Sequence, residues 1–492
     1  MRQPSSLTPV LVGIGVSTRR EDDWTRALEP MDLMRDAVAA AGRDAGNAQL
    51  LAGSQYIAVP RGRWTYRNPA GELARAIGAH QASTVLASVG VLQQSLLGEA
   101  CARIARGEAH TTLLAGADAG YRLLRAQIAG ATAPERQHDD EPALYLAPKD
   151  DLFHSVESRA GFAMPVGLYA ILDSAYRARH GWSVSAHRTR LAEMLARFSV
   201  IAADNPHAWS RTPLTVDNIR AASARNPMQA FPYTRAHCST WNVDQAAALL
   251  FCSEARAVEL GIPRAQWIYP LASSESNHMM TVSARADLTR CSGAGIAGQA
   301  ALAAADLTIA DIDLLELYSC FPIAVETYAE ALQVDLARPL TITGGMPFAG
   351  GPFNNYVLQA TCRAAELLRA QGKGTALISS VSGILTKQGF GLWSTEVGPR
   401  GFVHADVTAA VATAARTVEV LDDYRGDVSI AGYTVLHGRG LSPRAVALAD
   451  TPTGQRVLTD SKDPELIARM ERAEYVGRRM QVDGSTLTEC PP

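Results

Sequence analysis

The chain has 492 residues, of which 47% are hydrophobic and 19% charged, and its formal net charge is −3. That balance fits a well-buried α/β protein of about three domains and excludes a disordered or coiled chain. It gives no footing to a nucleic-acid binder, and no apolar run approaches the ~18–20 residues that a membrane helix needs.

The opening ten residues lack the apolar core of a signal peptide, so the first strand is predicted from Val10, over 10–15. An amphipathic helix over 31–42, a strand over 56–59, a short helix over 73–78 and a strand over 84–88 follow. A glycine turn at Gly90 then leads into a helix over 92–107 and a strand from Thr111. Strands alternating with helices at this spacing imply a parallel or mixed sheet covered on both faces. Between 121 and 233 the regularity breaks, with helices over 164–180 and 184–203 and a Pro- and Trp-bearing loop from Asn205. This reads as an inserted helical subdomain.

The α/β pattern resumes with a strand over 243–253 and a helix over 254–260. A second half runs from Trp267 to about Val411: strand 268–271, helix 294–305, strand 314–317, a second glycine turn with its helix, and strand 376–381. After Arg425 come alternating strands over 427–435, 444–449 and 455–458. A charged helix over 464–476 and a strand over 479–482 complete the chain. Short strands plus one helix in so few residues outline a small, partly closed, OB-like barrel. Seven cysteines, odd in number and without metal-like spacing, imply neither a disulfide framework nor a metal site. A reduced, cytoplasmic protein is the expectation.

The two glycine turns are related. Gly90 pairs with Gly351 and Cys101 with Cys362 at one offset of 261 residues, each time as turn, Ala/Leu-rich helix and apolar strand. A period that long indicates a duplicated domain rather than a solenoid. Two such halves packed together bring two helix N-termini to one centre, which favours anions or developing negative charge.

With Val243-Asp-Gln-Ala-Ala-Ala, Glu316-Leu-Tyr-Ser-Cys-Phe-Pro, Gly344-Gly-Met-Pro-Phe-Ala-Gly-Gly-Pro and Gly383-Ile-Leu-Thr-Lys-Gln-Gly-Phe-Gly in place, the chain resembles the thiolase superfamily over roughly residues 8–405. Gly350-Gly-Pro-Phe-Asn-Asn-Tyr, Leu385-Thr-Lys and the added β domain are similar to the bacterial type-one thiolase-like proteins, often labelled acetyl-CoA acetyltransferases. The resemblance implies two duplicated βαβαβαββ halves, 1–120 with 234–262 and 263–415. It also implies an inserted loop domain at 121–233 and an additional OB-like domain at 425–492.

The family's chemistry is then carried over position by position. The acyl-carrying cysteine at the start of the first duplicated helix corresponds to Gly90, or with a two-residue slip to Ser88. The base histidine of the Gly-His-Pro motif corresponds to Gly351, before Pro352. The second cysteine falls near Ser379 or Ser380, and the oxyanion-supporting residue becomes Tyr318. All four depart from the family pattern.

Backbone amides at Gly90 and Gly351 make either a nest for a thioester oxygen or plain tight turns. Cys320 is either catalytic or a core cysteine. Tyr318 is read as a donor to a thioester carbonyl or an ordinary half-buried tyrosine, and His278 as a replacement base or a loop histidine. Asn354 and Asn355 either cap the second helix or also face a ligand. Lys387 anchors an anion or is simply exposed. Arg225 and Arg235, at the exit of the insertion, either meet CoA phosphates or are solvated. His237 and Cys238 are adjacent in an extended segment and point to opposite faces, so they form no pair.

Two functions follow from the resemblance, both set in lipid metabolism. One is an acetyl-CoA acetyltransferase-like acyltransferase working without acyl-cysteine. The other is a catalytically inactive protein that binds CoA or acyl-CoA, or a protein partner through the C-terminal domain. Monomer and homodimer both remain open.

Overall fold

Val10, Leu11 and Val12 are fully buried on the strand Pro9–Thr18, where branched side chains suit a sheet covered on both faces. The computed structural model describes residues 6–136, 139–162, 164–438 and 440–490. The first sheet has six strands in the order Pro9–Thr18, Asp244–Ser253, Thr111–Ala119, Tyr56–Pro60, Ser83–Ala87 and Leu144–Leu146. Its first two junctions are antiparallel and the rest parallel. The second sheet has the order Leu314–Glu316, Thr375–Ser382, Lys387–Ser394, Tyr269–Ser276 and Val403–Asp406.

Counted from Tyr269–Ser276, the second sheet's junctions run antiparallel, antiparallel, parallel, as they do from Pro9–Thr18 in the first. The duplication visible in the glycine turns therefore extends through the sheets. The symmetry covers four strands in each sheet; Leu144–Leu146 at the edge of the first and Val403–Asp406 at the edge of the second lie outside it. Among the described residues the second half has no strand in the place of Ser83–Ala87. There, segment 340–346 crosses as a loop, tied by the Leu317 N–H to the Leu340 carbonyl at 2.9 Å.

The insertion supplies the helices Val166–Arg179 and Val184–Asp204. Beyond the second half, Tyr424–Leu436, Arg444–Asp450, Arg456–Ser461, Thr486–Glu489 and Arg479–Gly484 pair in a ring that closes back on Tyr424–Leu436. Arg456–Ser461 and Thr486–Glu489 run parallel and meet at a single pair, Asp460 with Thr486. A helix, Pro464–Met470, sits between Arg456–Ser461 and Arg479–Gly484 in the chain. This is the expected OB-like barrel with a thin seam, and its last strand, Thr486–Glu489, was not foreseen in the sequence. The helix ends six residues earlier than 476. The carboxylate of Glu474 instead accepts the N–H groups of Tyr475 and Val476 and turns the chain toward Arg177.

That turn welds the barrel to the insertion. Arg177, buried on Val166–Arg179, bonds Glu474 at 2.9 Å and the Tyr433 hydroxyl at 2.9 Å. The Ser174 hydroxyl accepts the Tyr433 N–H at 2.8 Å, and Phe231 N–H reaches the Val435 carbonyl at 2.8 Å. The short strand Met228–Ala230 joins the barrel sheet through Ala230 and Leu436. One face of the C-terminal domain is thus committed within the chain. Among the described residues no helix is long and apolar enough to cross a membrane.

Candidate functional site

The two duplicated helices are Gln93–Ala105 and Tyr356–Gln371, and their N-termini do meet. The junction is filled by a side chain. Gln93, buried at the start of the first helix, accepts the Val357 N–H at 2.8 Å and points its amide nitrogen at Asn354 Oδ1, 3.4 Å away. The first helix therefore caps the second. Asn355, expected to cap that helix, makes no cap bond. Its amide donates instead to the Gly116 carbonyl of the first sheet at 2.9 Å.

Gly90 adopts a φ of +96°, and a Cβ there would stand 2.9 Å from Pro148 and 3.3 Å from Leu152 of the inserted stretch. The first turn is roofed over, and its carbonyl accepts the Lys387 ammonium at 3.0 Å. Lys387 is accordingly buried, not an exposed anion anchor, and burial pulls its pKa down. Ser88 is half-buried and uses its N–H on the Leu146 carbonyl at 2.7 Å.

Gly351 behaves differently. It lines a cavity of about 520 Å³, which Gly90 does not reach. A Cβ at Gly351 would fall 2.0 Å from Ser239 Oγ, so any larger residue there must displace that hydroxyl. The cradle expected between both turns is one-sided. Cys320, Tyr318 and Phe321 enter the cavity from the stretch between the strand Leu314–Glu316 and the helix Pro322–Ala331. Pro165 and Val166 enter from the insertion, and Cys238 to Asn242 from the return segment. Tyr121, Trp209, Trp241 and Phe353 complete an aromatic lining. The Arg20 guanidinium lies over both Tyr121 and Trp209 at 5.5 Å, and that of Arg63 over Trp241 at 5.0 Å.

Electrostatically the cavity is unsuited to thiolate chemistry. Burial pushes the thiols of Cys320 and Cys238 up to about 12 each, with the Tyr169 hydroxyl pulling Cys320 the other way. Burial likewise raises the pKa of Tyr318, so its hydroxyl stays a donor, and it makes no hydrogen bond to the described residues. His278 does not reach this place. It lines a second cavity beside Arg285, so the expectation that it replaces the missing base is not met. Ser379 Oγ accepts the Tyr318 N–H at 2.8 Å and thereby sets that loop, while Ser380 is fully buried. Arg235 lines the aromatic cavity; Arg225 is exposed elsewhere. Pro352 and Asn354 lie in the second turn without lining the cavity.

The comparisons with known proteins accord with this arrangement. Residues 274–335 match the family model described as "Thiolase C-terminal domain-like". The crystal structure of a monomeric SCP2-thiolase like protein type 1 from Mycobacterium smegmatis superposes with a TM-score of 0.82 at 26% identity, over 99% of this chain and 100% of that one. The chain is a thiolase-like protein of the thiolase superfamily. An acetyl-CoA acetyltransferase of Methanothermobacter thermautotrophicus is 30% identical to this thiolase-like protein over 189 residues, 38% of this chain and 44% of that one. The match spans less than half the length of the curated relatives. An Ltp2-ChsH2(DUF35) aldolase shares the fold, with a TM-score of 0.60 at 18% identity over 79% of this chain and 98% of that one.

Sequence reasoning missed part of the thiolase-like protein's site. Cys238 was set aside because it cannot pair with His237. His237 is indeed buried, with Nδ1 beside the Thr234 hydroxyl at 2.9 Å, and Cys238 lines the cavity. The segment is not extended through the pair as expected: His237 ends a short 3-10 turn, Arg235–His237, and Cys238 leaves that turn extended, lining the cavity. Trp209 and Trp241 carried only the signal of being large aromatics in loop-rich stretches.

Proposed function

We propose that this protein binds a CoA thioester with its acyl group in the aromatic cavity, and that it does so without loading the acyl group onto a cysteine. The observation that carries this reading is the meeting of Gly351, Tyr318, Cys320 and Cys238 in one aromatic-lined cavity, with burial raising the pKa of both thiols. An apolar cavity with a few polar groups is how small-ligand sites are built. Tyr318 supplies a hydrogen bond to the thioester carbonyl. Arg20 and Arg235, both exposed where they line the cavity, supply charge for the phosphates of CoA.

A nucleophilic thiolate needs a lowered pKa, and both cysteines are moved the other way. His278, the expected replacement base, lines a different cavity. Binding is therefore favoured over acyl transfer through cysteine. The acetyl-CoA acetyltransferase name of the curated relatives and the monomeric state named for the M. smegmatis protein support a CoA ester as the ligand and a single chain as the working unit.

Calorimetric titration with acetyl-CoA and longer acyl-CoAs, paired with a thiol-release assay, tests this. Saturable binding with no release above the spontaneous rate is expected, with affinity for a longer acyl chain reduced at least ~tenfold by Gly351→Trp, which fills the cavity. No binding of any ester tighter than ~1 mM contradicts the proposal.

A further inference from the structure

The second cavity, of about 410 Å³, lies where residues 414–416 leave the thiolase core for the barrel. Arg285, Arg290 and Arg416 line it together with His278. The uncapped N-terminus of the helix Ser292–Ala304 opens onto it through Cys291, Ser292 and Gly293. Among the described residues the only acid in its lining is Asp287, whose Oδ1 is already taken by the Thr289 N–H at 2.7 Å and hydroxyl at 2.6 Å.

Arg285 decides the matter. It is 5% exposed, its Nε has no partner among the described residues, and its side-chain hydrogen bonds go to the carbonyls of Met280 and Ile384. No carboxylate forms an ion pair with it among the described residues; the buried Glu157 acts on it only at longer range, and a buried guanidinium without a direct counter-ion is costly. His278 Nε2 is likewise buried without a partner among the described residues. Three arginines, an unpartnered imidazole nitrogen and a helix N-terminus line one cavity. That is the chemistry of an oxyanion receptor.

We infer that this cavity binds a phosphate group, free or carried by a monoester, held by Arg285, Arg290 and Arg416 over the N-terminus of Ser292–Ala304. The volume exceeds what a bare phosphate fills and leaves room for part of the esterified group. Because Ala286 N–H is bonded to the Arg416 carbonyl at 3.0 Å, a ligand here ties the strap leading to the barrel onto the core. The inference does not depend on the thioester reading, since the two cavities share no lining residue.

The test is calorimetric titration of the full-length protein at low ionic strength with inorganic phosphate and, separately, adenosine 3′-monophosphate, against sulfate and chloride controls. Saturable binding of either phosphate, at least ~tenfold weaker in an Arg290→Glu/Arg416→Glu variant, is expected. Both substituted residues are exposed, so that variant should keep its circular dichroism spectrum; if it does not, Arg416→Gln alone takes its place. Tighter binding of the nucleotide identifies an esterified ligand, and equal affinities identify free phosphate as the source. The inference is overturned by no binding at millimolar phosphate, by sulfate or chloride binding equally well, or by affinity unchanged in the folded variant. Acyl-CoA binding that fails while phosphate binding persists counts against the thioester reading alone.

Discussion

Glu316→Ala is expected to destabilise the protein by about 3–5 kcal/mol, the largest single-residue loss foreseen in the second half. Glu316 is fully buried at the end of the strand Leu314–Glu316 and serves as the acceptor for a whole segment. Its carboxylate takes the Ile342 N–H at 2.9 Å, the Thr343 N–H at 3.0 Å, the Thr341 hydroxyl at 3.0 Å and the Tyr356 hydroxyl at 2.6 Å. Burial pushes its pKa up, and these hydrogen bonds pull the other way.

The carboxylate stands in for the strand pairing that the second half lacks. It fixes the loop 340–346, which delivers Met346 and then Gly351 to the cavity. Truncation strands the Ile342 N–H, at ~1–3 kcal/mol for a group left unpaired in the interior, and leaves the Thr343 N–H and the Tyr356 phenol only threonine hydroxyls, at 3.2 Å and 2.6 Å, in place of a charged acceptor. The threonine hydroxyls can rotate toward other acceptors. A lower urea midpoint at unchanged slope should report the loss, and Glu316→Gln, which keeps an acceptor oxygen, should lose less. A cost below ~1 kcal/mol for the alanine variant would show that the loop is held by something else.

The second large effect concerns sulfur. Cys320 and Cys238 should react with iodoacetamide on the order of 10²–10³ times more slowly at pH 7.5 than an unperturbed cysteine. With pKa values of about 12, the thiolate is scarce throughout the physiological range. Its rate should climb roughly tenfold per pH unit through pH 10 without a plateau, because the midpoint lies higher still. Mass spectrometry of quenched digests separates these two sites from the half-buried Cys490 near the C-terminus, which serves as internal reference. An inflection near or below pH 7 at Cys320 or Cys238 would reveal an activated thiolate and restore covalent chemistry to the reading.

The duplication was legible because turn, helix and strand recur with Gly90 matched to Gly351. The common strand order and sense of the two sheets bears it out. The OB-like barrel was legible from alternating strands and a turn, apart from its closing strand Thr486–Glu489, which is short, polar and mostly exposed. Convergence of the two helix N-termini followed from the repeat, but what occupies the junction did not. Nothing local marks Gln93 as the side chain that caps a helix more than 260 residues away. Lys387 read as exposed because lysine usually is; its burial depends on the Gly90 carbonyl, a partner that only tertiary structure supplies. Glu316 stood in the quoted motif without a role, since its donors lie on a loop whose path no periodicity describes.

The central claim is that the aromatic cavity beside Gly351 receives an acyl-CoA, and tryptophan emission tests it most directly. Trp209 and Trp241 line that cavity. Adding a medium-chain acyl-CoA should change the emission saturably, and the change should vanish in a folded Trp209→Phe/Trp241→Phe variant. An unchanged spectrum at ligand concentrations up to ~1 mM, or a response that survives in that variant, would contradict the assignment.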